Sequence, residues 1–216
     1  MCITQETIDK ILEVKEKLNY YYIDKICTNN DVKQTIDTYN EIIWKGKKHT
    51  ICYITAAALV WLLSGEDKIT PFSGKWEDAN ITTEYEKYEY CAIAFVIDKV
   101  DDIESTLQHA FISLNNGKII LDSDWNTCKG LTQTTTDNNS LMNKLKNKTK
   151  YVMKYITFDI SSENDIDKRL ALVKQYNLHE PRIKENTINV PDDESMMQRF
   201  MENYHLLTKK QNIFPC

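Results

Sequence analysis

Hydrophobic positions near the N-terminus recur with the period of an α-helix. Between residues 5 and 27 one apolar face is predicted. It is formed by Ile8, Ile11, Leu12, Leu18 and Tyr22. Asn29, Asn30 and Asp31 interrupt the pattern, and a second helix is predicted over about 32–44. A loop around Gly46 and Lys47 follows.

The next apolar segment, 49–67, reads HTICYITAAALVWLLSGED. Its three consecutive alanines and its apolar spacing of three and four residues predict a buried helix. The positions with that spacing are Ile54, Ala57, Ala58 and Trp61. Gly65 is placed to end this helix, because glycine accepts the left-handed backbone of a C-terminal cap.

Strands are predicted in the middle of the chain, from shorter apolar runs. The predicted strands are 88–98, 109–115, 118–124 and 151–160. The first is continuously apolar at its centre and is expected to be buried on both faces. Residues 68–84 and 126–150 are predicted to be irregular, and 163–176 and 193–209 to be helices.

Helices followed by an antiparallel sheet and then by further helices indicate the α+β class. A single domain over 1–216 is predicted, with a core at about 45–160. It is preceded by N-terminal helices over 5–44 and followed by a C-terminal helical extension over 161–216.

Composition narrows the possible functions. The 216 residues carry a net charge of −5, which does not suit nucleic-acid binding. No apolar run reaches the roughly 18–20 residues of a membrane span, so a cytoplasmic protein is expected. The six cysteines are widely spaced, and most are predicted to be thiols in a reducing compartment.

Candidate chemistry begins at the hairpin HAFISLNNGKIILDSDW, which is joined by Asn116 and Gly117, a strong turn signal. A two-residue turn sets His109 opposite Asp124, and a four-residue turn sets it opposite Asp122. In both registers the three side chains share a face, because side chains alternate along a strand. A carboxylate is therefore expected beside the imidazole, although a solvated polar face would show the same pattern.

Cys52 is the candidate nucleophile, because it stands two or three residues into the predicted buried helix, within its first turn. A helix N-terminus lowers the pKa of a thiol, and its unpaired N–H groups can bind an oxyanion. The alternative is a small buried hydrophobic residue. A zinc site from His49, Cys52, Cys91 and Cys128 is disfavoured by their spacing, and no metal is expected.

Three motifs together resemble the papain-like cysteine peptidase superfamily, most closely its transglutaminase-like domains. They are C-x-x-x-A-A-A-L-x-x-L-L, a strand beginning His-Ala-Phe, and N-G-K-I-I-L-D-x-x-W. They cover about residues 50–125, a little over a third of the chain. The resemblance implies Cys52 as nucleophile, His109 as base and Asp122 as orienting acid, with Asp124 as the alternative.

The chain departs from the family pattern at two points. Ile54 or Tyr53 replaces a small residue near the cysteine, and Gly46 occupies the position of the glutamine that supplies an oxyanion donor in papain relatives. The main-chain N–H of Cys52, with Trp44 or His49, is expected to replace that donor. Trp125 completes the expected pocket.

The resemblance implies a papain-like α+β fold and a thiol protease or related hydrolase. This enzyme would cleave or transfer a peptide, isopeptide or glutamine amide through a Cys-His-Asp triad. No cofactor is expected, and the expected partner is a protein or peptide substrate. The alternative is a catalytically inactive papain-like fold that serves as a protein-interaction module.

Overall fold

The protein is an α+β structure, with helices packed on a mainly antiparallel sheet. The computed structural model describes residues 2–28, 41–44, 47–49, 52–68, 77–79, 87–97, 107–123, 131–135, 151–177 and 187–190. The helices are α1 (Gln5–Glu13), α2 (Lys15–Tyr21), α3 (Cys52–Ser64) and α4 (Glu163–Gln175). The strands are β1 (Glu41–Trp44), β2 (Lys47–His49), β3 (Glu77–Ala79), β4 (Tyr90–Ile97), β5 (Leu107–Leu114), β6 (Ile119–Ser123), β7 (Leu131–Thr134), β8 (Tyr151–Thr157) and β9 (Thr187–Val190).

The predicted N-terminal helix is present, but it is divided. Thr4 caps α1 by accepting a hydrogen bond from the Thr7 N–H at 3.2 Å. At Val14 the backbone leaves helical geometry (φ −100°, ψ 4°), so α1 and α2 are separate helices. A π-helical turn, Tyr22–Ile26, continues α2. The predicted apolar face is confirmed, because Ile8 and three other residues on it are buried in the core and Leu12 is partly buried against them.

The N-terminal segment is tied to the β5–β6 turn. The Ile3 N–H donates to Asn115 Oδ1 at 3.1 Å, and Asn115 Nδ2 donates back to the Ile3 carbonyl at 3.0 Å. This reciprocal pair satisfies both backbone polar groups of Ile3. The two residues are 112 positions apart in the chain, so the contact joins the first segment to the middle of the sheet.

The main sheet has six strands in the order β3-β8-β4-β5-β6-β7, and every neighbouring pair is antiparallel. Within β4, the side chains of residues 91–94 are almost fully buried, which confirms the prediction for this strand. A smaller sheet has the order β2-β1-β9, with β1 and β9 parallel.

One face of the main sheet packs against α3. The register places Ala92, Ala94, Ala110 and Ile112 on this face, and all four belong to the same buried cluster as α3. Alanines on the strands oppose a helix that itself carries three consecutive alanines. Small side chains allow the backbones to approach closely, and α3 lies mainly over β5.

The C-terminus of α3 is capped by glycine and by an arginine from α4. Gly65 has φ +80°, and its N–H donates to the Trp61 carbonyl at 2.7 Å. Arg169 Nε donates to the Leu62 carbonyl at 2.7 Å and Nη2 donates to the Leu63 carbonyl at 3.3 Å. The cap predicted at Gly65 is therefore confirmed, and Arg169 satisfies carbonyls that a helix end leaves unpaired.

We expect Gly65→Ala to destabilise the protein by about 1–2 kcal/mol. The backbone at position 65 is left-handed, a conformation that alanine disfavours. The Cβ of alanine would also lie only 2.8 Å from Arg169 Nη1. Urea unfolding measures the change in the free energy of unfolding. Gly65→Asn is the matched variant, because asparagine brings the same Cβ but tolerates this backbone. An alanine variant as stable as the wild type would contradict this account of the cap.

Four short segments differ from the sequence predictions. Glu41–Trp44 is a strand rather than the end of a helix, and Lys47–His49 is a strand rather than a loop. Glu77–Ala79 and Leu131–Thr134 are strands inside regions predicted to be irregular. In each case pairing with a neighbouring strand outweighs weak local preference. The remaining parts of the predicted helices over 32–44 and 193–209 lie outside the described residues.

Among the helices in the described ranges, none is long and apolar enough to cross a membrane.

Candidate functional site

The β5–β6 hairpin that carries the candidate base has the register of a two-residue turn. Asn116 and Gly117 have φ values of 57° and 79°, as a type I′ turn requires. Ile112 pairs with Leu121, and Leu114 pairs with Ile119. Of the two registers left open by the sequence, this is the one that sets Phe111 opposite Asp122. His109 is then diagonal to Asp122.

His109 and Asp122 form a buried pair across this diagonal. His109 Nε2 lies 2.7 Å from Asp122 Oδ1, and the two residues are 5% and 1% exposed. An ionised carboxylate can only accept, so Nε2 donates the hydrogen bond and the Nδ1 lone pair is available for a proton. The prediction that an aspartate lies beside the imidazole is confirmed for Asp122. Asp124 lies outside the described residues.

The surroundings of the pair are apolar on one side and hydrogen-bonded on the other. The Phe111 ring, 1% exposed, lies with its centroid 6.3 Å from that of His109 at an interplanar angle of 29°. Thr132 of β7 pairs with Asp122 in register, and its hydroxyl donates to the Asp122 carbonyl at 3.3 Å. Burial in a low-dielectric setting strengthens the imidazole–carboxylate interaction and fixes the ring orientation.

Phe111 and Thr132 were not identified as site residues from the sequence. A signal for Phe111 was present, because the two-residue turn register already placed it opposite Asp122. Thr132 carried no such signal, since its segment was predicted to be irregular.

Cys52 is the first residue of α3, two or three residues nearer the helix start than the sequence predicted, and its side chain is fully buried. Its sulfur is engaged in a disulfide bond. Cys2, Cys27 and Cys91 carry thiols instead. The sequence predicted thiols for most of the cysteines, and Cys52, the candidate nucleophile, is one that does not carry a thiol here; the spacing of the cysteines contained no sign of this disulfide.

The direction of α3 relative to the sheet places Cys52 toward the end where His109 lies. The C-terminus of α3 is held by Ser161, whose N–H donates to the Leu63 carbonyl at 2.9 Å. Ser161 follows Thr157, the last residue of β8, which lies in register with Cys91 at the start of β4. The start of β4 in turn pairs with the end of β5.

The N-terminus of α3 consequently points to the opposite end of the sheet, where β5 begins and β6 ends. The helix has 13 residues and is about 20 Å long. His109 lies four positions before Ser113 in β5, which corresponds to about 13 Å along the strand. The helix is therefore long enough to bring Cys52 to the level of His109.

The two side chains nevertheless start from different faces of the sheet. His109, Phe111 and Asp122 alternate with the residues that contact α3, so they occupy the face turned away from that helix. A contact between the Cys52 sulfur and His109 Nδ1 must therefore be made around the end of the sheet, not through the helix–sheet interface. The structure brings His109 to Asp122 and does not bring Cys52 to either through this interface.

Of the other candidate residues, two lie in described strands, and two lie outside the described residues. Trp44 ends β1 and His49 ends β2, so both precede Cys52 on a short antiparallel pair in which Ile42 is opposite His49. The positions of their side chains are not described, and Trp125 and Cys128 lie outside the described residues.

Cys91 is a buried thiol in β4. Desolvation raises its pKa to about 12, although a hydrogen bond with Ser113 acts in the opposite direction. At neutral pH it is therefore almost entirely protonated and a poor nucleophile. Within the described part of the chain, no three His, Cys, Asp or Glu side chains are grouped to hold a metal ion.

Comparison with known proteins gives no relative on which to base a role for these residues. No protein-family model matches the chain, and neither a curated protein nor a solved structure matches it.

Proposed function

We propose that the protein is a cysteine-dependent hydrolase or acyltransferase of papain-like type that acts on a peptide, isopeptide or glutamine amide. The observation that carries the proposal is the buried His109–Asp122 pair. Its hydrogen bond holds the imidazole with Nδ1 as the basic nitrogen. A cysteine at the start of a buried helix, toward the same end of the sheet, supplies the matching nucleophile.

The reaction requires Cys52 in its reduced form. His109 takes the proton from the thiol, and the thiolate attacks the carbonyl carbon. The main-chain N–H groups at the start of α3 stabilise the developing oxyanion. The imidazolium returns the proton to the leaving amine, and an acyl thioester remains on Cys52. Water completes hydrolysis, or an amine completes acyl transfer. Asp122 orients His109 throughout and stabilises its charged form.

A second candidate is a non-catalytic protein-interaction module with the same fold. Two observations favour it. The Cys52 side chain is fully buried in a disulfide, and His109 faces away from the helix that carries Cys52. Under this candidate the His109–Asp122 pair is a structural contact between β5 and β6.

Labelling of the reduced protein with an electrophilic peptide probe separates the two candidates. We expect the probe to modify reduced Cys52 faster than Cys2, Cys27 or Cys91, because Cys52 begins a helix whose N-terminus points to the end of the sheet where His109 lies. Mass spectrometry of the digested protein identifies the modified cysteine. Exposed Cys2 is the internal reference for a thiol that the probe can reach, and buried Cys91 is the reference for an unreactive thiol.

Cys52→Ser is the control for the probe, and it should lose the rapid labelling while keeping the slower modification of Cys2. If the reduced Cys52 reacts no faster than Cys2, the hydrolase proposal fails and the interaction module remains.

A further inference from the structure

We infer that the disulfide at Cys52 is a redox switch, which keeps the site inactive until a dithiol reductant releases the thiol. This inference rests on the proposed function, because it assigns a mode of regulation to the same site. Its basis is that the one cysteine with the position of a nucleophile is a disulfide sulfur, whereas three other described cysteines carry thiols.

The disulfide removes the property on which catalysis depends. A thiolate is the attacking species in cysteine catalysis, and a sulfur bonded to a second sulfur carries neither the proton nor the negative charge of a thiol. His109 then has no proton to accept from Cys52. The oxidised protein is therefore expected to be inactive even though the His109–Asp122 pair is already formed.

The choice of cysteine follows chemical reactivity. Oxidation proceeds through thiolates, so it selects cysteines that ionise readily. Cys91 and Cys52 are both fully buried, and burial holds the pKa of Cys91 near 12, so the local structure around each sulfur has to distinguish them. Cys52 begins a 13-residue helix, whose N-terminal N–H groups stabilise a thiolate. In a reducing compartment, such as the composition predicts, disulfides are usually transient and serve catalysis or redox sensing.

Activation is a thiol–disulfide exchange with a dithiol. One thiolate of the reductant attacks the disulfide and forms a mixed disulfide, and its second thiol displaces the protein sulfur. Two electrons pass to the protein, both protein sulfurs leave as thiolates and take up protons, and the reductant becomes a cyclic disulfide. Because Cys52 is fully buried, the first attack is expected on the sulfur bonded to it, with Cys52 as the leaving thiolate. Exchange with a small-molecule disulfide reverses the sequence.

The test uses the full chain purified without reductant and divided in two, with dithiothreitol added to one half and then removed. Both halves receive a short pulse of iodoacetamide, and mass spectrometry quantifies carbamidomethyl Cys52. We expect at least about tenfold more modification after reduction. A non-reducing peptide map identifies the cysteine joined to Cys52. Cys128 and Cys216 lie outside the described residues, so Cys128→Ser and Cys216→Ser are both made, with Cys2→Ser as the matched control.

One of the two partner variants should label at Cys52 without dithiothreitol, and Cys2→Ser should behave as the wild type. Equal labelling of wild-type Cys52 before and after reduction would overturn the switch. Its failure is distinguishable from failure of the proposed function. If the modification of Cys52 is independent of dithiothreitol but is lost in His109→Ala, only the redox switch is refuted. If the modification of Cys52 depends on dithiothreitol but is unchanged in His109→Ala, regulation by the disulfide is supported and the proposed hydrolase or acyltransferase function is refuted.

Discussion

In the reduced protein, we expect His109→Ala to lower the rate at which Cys52 reacts with the electrophilic peptide probe by about 10²–10⁴-fold, the usual contribution of a positioned base. The imidazole is held by Asp122 at 2.7 Å and is nearly inaccessible to solvent. Water cannot easily replace it, so its loss leaves the thiol without a base. Stopped-flow or quenched labelling at several pH values measures the rate.

Chemical rescue distinguishes a base from a residue that has only a structural role. Added imidazole should restore part of the rate, because truncation to alanine leaves a cavity of the right shape. Ser113→Ala is the matched control, since Ser113 lies on the same strand and face and is equally buried. A rate unchanged in His109→Ala, or lowered equally in Ser113→Ala without rescue by imidazole, would count against a base at this position.

The second large effect concerns stability. Leu62→Ala is expected to lower the free energy of unfolding by about 2–5 kcal/mol, the range for a leucine truncated in a packed core. Leu62 is fully buried in α3, the helix that contacts the sheet as well as α2 and α4. Its carbonyl still accepts from Arg169, so the loss is expected to come from the side chain alone.

Leu172→Ala is the matched control, because it makes the same chemical change on α4 at a side chain that is 50% exposed. Its effect should stay within about 0.5 kcal/mol. Urea unfolding followed by circular dichroism measures both variants under reducing conditions. Similar losses in the two variants would mean that α3 does not form the centre of the core.

Patterns that depend on neighbouring residues were readable from the sequence. Asn116 and Gly117 determine the hairpin turn and therefore its register. The apolar run of β4 and the alanine-rich pattern of α3 locate the buried sheet and helix. Asp122 could be placed beside His109 because strand alternation leaves few positions within reach.

Features that depend on distant residues were not readable. Glu41–Trp44 forms a strand because it pairs with β2 and, in parallel, with β9, which is almost 150 residues later in the chain. The disulfide at Cys52 likewise depends on a residue brought close by folding. Local propensity contains no record of either partner.

The reciprocal hydrogen bonds between Ile3 and Asn115 have a consequence for the chain as it emerges from the ribosome. The first segment cannot reach its native position until the β5–β6 turn has been synthesised. The ion pair between Lys10 of α1 and Asp167 of α4, at 3.1 Å, can form only later, after α4 has been synthesised. The contacts of the N-terminal segment with the β5–β6 turn and with α4 can therefore form only after these later elements have been synthesised. We therefore expect the fold to be completed only after α4 has been synthesised.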